Sequence, residues 1–449
     1  MARRGGWRTR FGFYLIAIGS AFGLGNLWRF PYVVGENGGG AFVLLYVLMA
    51  FVIGLPLLVS ELVLGKASRK SVTVAIRNLN KKYSWIGVLC VTLSLIVLSY
   101  YSVISGWVLH YLTQFFAALI SGQTSIDSSP FRVLTQNLWL QMLLASAHLL
   151  MCLVVVAQGV QEGLEKWINY VMPLFATLVL LLVARSLSLG GTTEVLRFLF
   201  YPDFSKLQLA SLAEALGHVF FTLSVGFGTM VTFGSYMKED DHAPTMGYRV
   251  SVVDTMVSLI SALLVFPLAF TVFPFAHQDP SLVFEVLPSF LLSQKGGLIF
   301  GTLFFACFYM AALNASLGLL EAIVSNFSDM RPNLKRGRAA WLSGAICFVL
   351  IMFGAAINFF FPTLGGSGSN GTIALVDRLL VNWALPITVL IFCLAYPKFF
   401  PSKERKAHFV NADRLVSGIM YPYWELMIRW VIPAVICFAL FLQTLSLFE

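Results

Sequence analysis

The chain has 449 residues, of which 58% are hydrophobic and only 11% charged, and its mean hydropathy is +0.82. So little charge over that length excludes an ordinary soluble protein and makes the bilayer the natural solvent. The formal charge of +9 could suit a nucleic acid, but most of it collects in loops on one side of the membrane, so no nucleic-acid partner is expected.

A helix crossing the hydrocarbon layer needs about 20 mainly apolar residues. Eleven runs meet that need, at 11-34, 41-64, 86-120, 138-157, 167-185, 211-236, 250-276, 297-326, 339-357, 371-397 and 426-446. The first is too long and too Gly-rich for a cleaved leader. The prediction is an all-α integral membrane protein, one domain over 1-449, surrounded by lipid. Basic residues cluster before span one (Arg3, Arg4, Arg8, Arg10), after span two (Lys66, Arg69, Lys70, Arg77, Lys81, Lys82), after span eight (Arg331, Lys335, Arg336, Arg338) and after span ten (Lys398, Lys403, Arg405, Lys406, Arg414). Loops 121-137 and 358-370 are nearly free of them. The positive-inside rule then makes the N-terminus cytoplasmic, and an odd number of spans puts Glu449 outside a multi-pass plasma (inner) membrane protein.

Two spans contradict their own helices. Span one holds Gly19, Gly23 and Gly25 within seven residues and continues into Asn26 and Arg29. Each glycine costs about 1 kcal/mol relative to alanine, and a charge at mid-membrane roughly 2.5 to 3.5 kcal/mol. Span six repeats the interruption at Phe221-Thr222-Leu223-Ser224-Val225-Gly226-Phe227-Gly228. Glycine-rich membrane helices also pack closely through small faces, but broken spans at matched positions point to a midplane binding site. A break frees backbone groups that no water satisfies. Carbonyls around Gly19, Ala21 and Phe22 suit a hard cation such as sodium, and amides around Leu24 and Gly25 suit an anionic group.

Elsewhere the chemistry is sparse. Cys90, Cys152, Cys307, Cys347, Cys393 and Cys437 lie in apolar runs without metal-type spacing and read as packing residues. Clustered acids and metal-type His or Cys sets are missing, so an enzyme and an organic cofactor are not expected. Glu61, deep in span two, reads as structural glue. His218 reads as a satisfied polar residue, with pH sensing as its alternative. The apolar loop 277-296, with Pro280, Leu282, Val283, Phe284, Leu287 and Pro288, is expected to pack as a lid.

The run from Gly23 through Asn26 and Arg29 to Pro31, followed by Glu36-Asn37-Gly38-Gly39-Gly40-Ala41-Phe42, resembles the signature of the neurotransmitter:sodium symporter family in its bacterial amino-acid transporter branch. The likeness continues through Tyr100-Tyr101, Phe220 to Gly228, and Asp254. It implies an inverted five-plus-five helix repeat, 11-185 and 211-397, with helices 1 and 6 broken and helix 11 at 426-446.

The resemblance also implies ligands. A first sodium site would use Ala21, Asn26, Thr222 and Asp254, completed by the substrate carboxylate. A second would use Gly19, Phe22, Ala311 and Asn314, although Ala315 stands where relatives carry a hydroxyl, so one or two ions remain open. The substrate pocket maps to Ala21, Gly25, Val97, Tyr101, Phe221, Thr222, Ser224, Phe227, Ala315 and Leu319. Gly23 replaces the aspartate that monoamine carriers use, which favours a free apolar or aromatic α-amino acid. Asp254 would supply the negative charge that chloride, held partly at the position of Ser258, supplies elsewhere. An outer latch would join Arg29 to Asp377 near Asn382, and an inner one Arg4 to Asp329 with Trp7 and Tyr236. The implied function is sodium-coupled, chloride-independent amino-acid symport by alternating access; a proton- or weakly coupled carrier and a transporter-derived sensor remain alternatives, and the oligomeric state is not fixed.

Overall fold

The computed structural model describes residues 7–122, 131–188, 192–272, 282–361, 371–410 and 415–448. Arg4 and Pro280 lie outside them. Among the described residues, nine helices are long and apolar enough to cross a membrane: Gly40–Ser68, Lys81–Ser121, Leu138–Ala157, Val160–Leu187, Ala243–Leu268, Gly297–Met330, Arg336–Ile357, Ile373–Phe399 and Ser417–Leu445. A tenth span is the pair Phe11–Ala21 and Gly25–Glu36, bent by 44°. The run expected as span six is also broken, into Ser211–Thr222 and Thr229–Gly234.

Both breaks have local causes. Phe22 turns extended (φ −86°, ψ 101°) just after Ala21 and ends the first half-helix. In span six Ser224, Gly226 and Gly228 all have positive φ, at 53°, 87° and 74°. Glycine takes that conformation without strain, whereas a serine does so only where its surroundings impose it. Outside side chains then hold the loosened backbone: the Gly226 amide donates to Glu61 Oε1 (2.7 Å), and Ser94 Oγ donates to the Phe227 carbonyl (2.8 Å). Glu61 therefore does act as a splint.

Several helix limits differ from the sequence expectation. Span seven starts at Ala243 because Pro244 fits a first helical turn and His242 caps it, accepting from the Thr245 amide at 3.3 Å. Span eleven is preceded by helix from Leu415, anchored by Tyr421 and Trp424 against Phe409. Of the 277-296 loop, Leu282–Ser293 is helical, and its Phe284 packs on Trp107 and Phe131 while its carbonyl accepts from Tyr111 Oη (2.6 Å). Wide π turns occur at Gly25–Arg29, Ala50–Gly54, Leu380–Ala384 and Met427–Val431. Each of these four ends two residues before a proline (Pro31, Pro56, Pro386, Pro433), where the missing N–H and the ring's clash with the i−4 carbonyl disfavour a tight turn; a fifth, Val160–Glu165, has no such proline.

Candidate functional site

The two breaks face one another across a small cavity of about 20 Å³. Its lining brings together Ala21, Gly25, Val97, Tyr101, Phe221, Thr222, Ser224, Phe227, Ala315 and Leu319, every pocket residue inferred from sequence, with Ser20 and Gly23 in addition. Close approach explains the glycines: a Cβ on Gly25 would lie 3.0 Å from the Phe221 ring, and one on Gly23 would run into the Tyr101 hydroxyl and within 2.6 Å of the Ala315 Cβ.

One end of the cavity is polar. The Leu24 amide donates to Tyr101 Oη at 2.6 Å, which fixes the phenol against the start of the second half-helix. Ser224 Oγ reaches the Ser20 carbonyl at 3.3 Å and so ties the two breaks together. Ser20 Oγ is buried and finds no partner among the described residues. The remaining walls, Val97, Phe227, Ala315 and Leu319, are apolar. An elongated molecule with a charged head and a greasy tail matches that division.

Beside the polar end lies an oxygen-rich cluster. Asn26 Nδ2 donates to Asp254 Oδ1 (3.0 Å) and Ser258 Oγ (2.8 Å), while its own Oδ1 accepts from the Gly23 amide (3.2 Å). Tyr46 Oη lies 2.9 Å from Ser258 Oγ and donates to Asp254 Oδ2 at 3.4 Å. Asp254 is buried and has no ion-pair partner among the described residues. A carboxylate and two hydroxyls around one point suit a hard cation, with the Asn26 amide turning its NH2 group toward them and its oxygen toward the Gly23 amide. Tyr46 was not singled out from sequence; only its place one helical turn into span two hinted at it.

The residues assigned to a second cation behave differently. Gly19 faces Ile168 and Met172 of span five. Phe22 packs edge-on against Phe175 at 4.3 Å between centroids, and Asn314 Oδ1 accepts from Trp167 Nε1 at 3.3 Å. Ala311 is buried in span eight.

Above the cavity Arg29 and Asp377 form a buried ion pair (3.1 Å), and Arg29 also donates to Asn382 Oδ1 (2.7 Å). Arg29 Nη1 lies 3.3 Å from His218 Nδ1, whose ring stacks on Phe30. Guanidinium only donates, so His218 Nδ1 is the acceptor and its proton resides on Nε2. At the opposite end Trp7 packs edge-on against Tyr236 (5.4 Å) and Phe233 (5.9 Å). Asp329 accepts from the Ser71 amide (2.7 Å) and pairs with Lys70 (3.3 Å). Sequence reasoning missed Glu321, which is fully buried, accepts from Tyr236 Oη (2.7 Å) and pairs with Arg336. The signal was available, since a carboxylate inside an apolar span requires a partner.

Known proteins share this sequence pattern and fold. The model of the sodium:neurotransmitter symporter family matches residues 4–128 and 123–449. A Bacillus subtilis (strain 168) relative described as "Uncharacterized sodium-dependent transporter YhdH" is 31% identical over 440 residues, covering 96% of this chain and 95% of its own. A Methanocaldococcus jannaschii sodium-dependent transporter, MJ1319, is 27% identical over 470 residues, covering 98% and 90%. The crystal structure of MhsT in complex with L-phenylalanine matches with a TM-score of 0.86 and 31% identity, over 98% of this chain and 100% of that one. The chain therefore belongs to the sodium:neurotransmitter symporter family, as a sodium-dependent transporter that crosses the membrane many times and not as an enzyme.

Proposed function

We propose that this chain imports a free α-amino acid with an apolar or aromatic side chain, driven by sodium and independent of chloride, by alternating access. The observation that carries the reading is the two-ended cavity. Leu24, Gly25 and the Tyr101 hydroxyl would receive the substrate carboxylate, carbonyls of Ala21, Phe221 and Thr222 the ammonium, and Val97, Phe227, Ala315 and Leu319 the side chain. The phenylalanine bound to MhsT supports a ligand of that kind. Sodium at Ala21, Asn26, Thr222 and Asp254 would share the carboxylate, so that substrate and ion bind best together. Arg29 with Asp377 would close the outer path, and Trp7 with Tyr236 the inner one. The two repeats would be 11-185 and 211-397, with the N-terminus cytoplasmic and the C-terminus outside the plasma membrane.

A buried carboxylate without a basic partner also motivates a proton-coupled version of the same carrier. The deciding experiment is uptake of a panel of labelled amino acids into proteoliposomes under sodium, potassium or proton gradients, with chloride replaced by gluconate. Sodium-driven uptake of leucine-like or aromatic substrates is expected. Equal uptake without sodium would sink the proposal and favour the proton-coupled reading.

A further inference from the structure

We infer that the side of the first break turned toward span eight is held by side chains of span five instead of by an ion, and that one sodium ion, at the Asp254 cluster, is carried per turnover. The inference rests on the sodium-coupled reading above and sets its stoichiometry.

The break frees carbonyls on both of its sides, but the two sides meet different chemistry. Toward Asp254 they meet a carboxylate, an amide and two hydroxyls. On the other side they meet the Met172 thioether and the Phe175 ring of span five, while Ser20 Oγ, unpartnered among the described residues, abuts Gly318 of span eight. Met172 Sδ lies 3.4 Å from where a Cβ on Gly19 would sit and 3.5 Å from Asn314 Nδ2, so it bridges span one and span eight. A thioether is a soft, weak acceptor and a poor ligand for a hard cation.

Nor do Asn314, Ala315 and Ser316 of span eight turn a side-chain oxygen toward the break. Asn314 could offer its amide oxygen, but Trp167 Nε1 is a donor with no acceptor capacity, so the 3.3 Å contact fixes Oδ1 toward span five. Ala315 has none. Ser316 Oγ is turned to His148 Nε2 in span four, at 2.9 Å. Carbonyls with the Ser20 hydroxyl would still leave a cation short of the six or so oxygens that hard ions gather. Met172 and Trp167 therefore act as residues that set ion specificity by filling the space an ion would need.

The test uses the full chain, purified and reconstituted. Equilibrium binding of radioactive sodium counts ions per chain without requiring transport, and parallel flux of radioactive sodium and labelled amino acid gives the coupling ratio. One ion per chain and one per substrate are expected, with a non-sigmoidal sodium dependence. At 100 mV and a tenfold sodium gradient, accumulation should stop near 500-fold, whereas two ions would allow about 200,000-fold. Asn314→Thr with Ala315→Ser and Met172→Ala restores oxygens and space, and binding of a second ion by that variant supports the inference. A count of none or of two in the unmodified chain overturns it. If one sodium binds while no amino acid in the panel is accumulated, the amino-acid reading fails and the ion count stands.

Discussion

Arg29 and Asp377, 348 residues apart in sequence, meet at 3.1 Å with side chains only 2% and 3% exposed. Tyr100 and Tyr32 also donate to the Asp377 carboxylate (3.0 and 3.3 Å), so the arginine is one of three groups fixing it. This ion pair joins span one to span ten directly above the cavity, where it can hold the outer path closed.

Arg29→Lys keeps the charge but loses the planar fork that reaches Asp377 and Asn382 together. Bound substrate is expected to escape at least about tenfold faster, a loss of roughly 1.4 kcal/mol. The time course of labelled substrate release from purified protein measures this. Asp377→Ala is expected to cost about 3 to 5 kcal/mol, because it strands a buried guanidinium, and should show as low yield of folded protein.

Asp254→Asn removes the only fixed negative charge in the Asn26, Tyr46 and Ser258 cluster among the described residues. Uptake by that variant should depend on chloride or vanish, while the parent chain transports equally in chloride and gluconate. Chloride dependence of the parent would overturn the role given to Asp254.

Tyr101→Phe leaves the Leu24 amide without its 2.6 Å acceptor. An unsatisfied buried donor costs about 1 to 3 kcal/mol, so apparent substrate affinity should fall by roughly tenfold or more. Gly23→Ala should weaken binding further, since its methyl would collide with both Tyr101 and Ala315. Competition binding with leucine and phenylalanine reads both effects.

Glu61→Gln retains an oxygen for the Gly226 amide, whereas Glu61→Ala removes it. The alanine variant should lose about 1 to 3 kcal/mol more stability than the glutamine one, read as a lower unfolding temperature in detergent.

The sequence made the site more legible than its surroundings. Glycines beside Asn26 and Arg29 in an apolar run signalled the break, because a membrane helix has no cheap reason to carry them, and the same logic found Gly226 and Gly228. Arg29 announced a partner by being charged in the membrane. Side-chain orientation was not legible. Asn314 reads as an available oxygen in one dimension, and only its meeting with Trp167, 147 positions away, turns that oxygen aside. Helix ends were also obscured where amphipathic starts such as Pro244 and Tyr421 lie outside the apolar runs.

The π turns give the latch a second property. Arg29 lies in Gly25–Arg29 and Asn382 in Leu380–Ala384, so both residues that meet above the cavity sit on turns carrying one surplus residue. One residue of an α-helix corresponds to about 100° of rotation. Exchanging either turn for α geometry would swing the chain beyond it by that angle while the helix stays whole, which would carry Arg29 and Asn382 out of contact in the proposed outer latch.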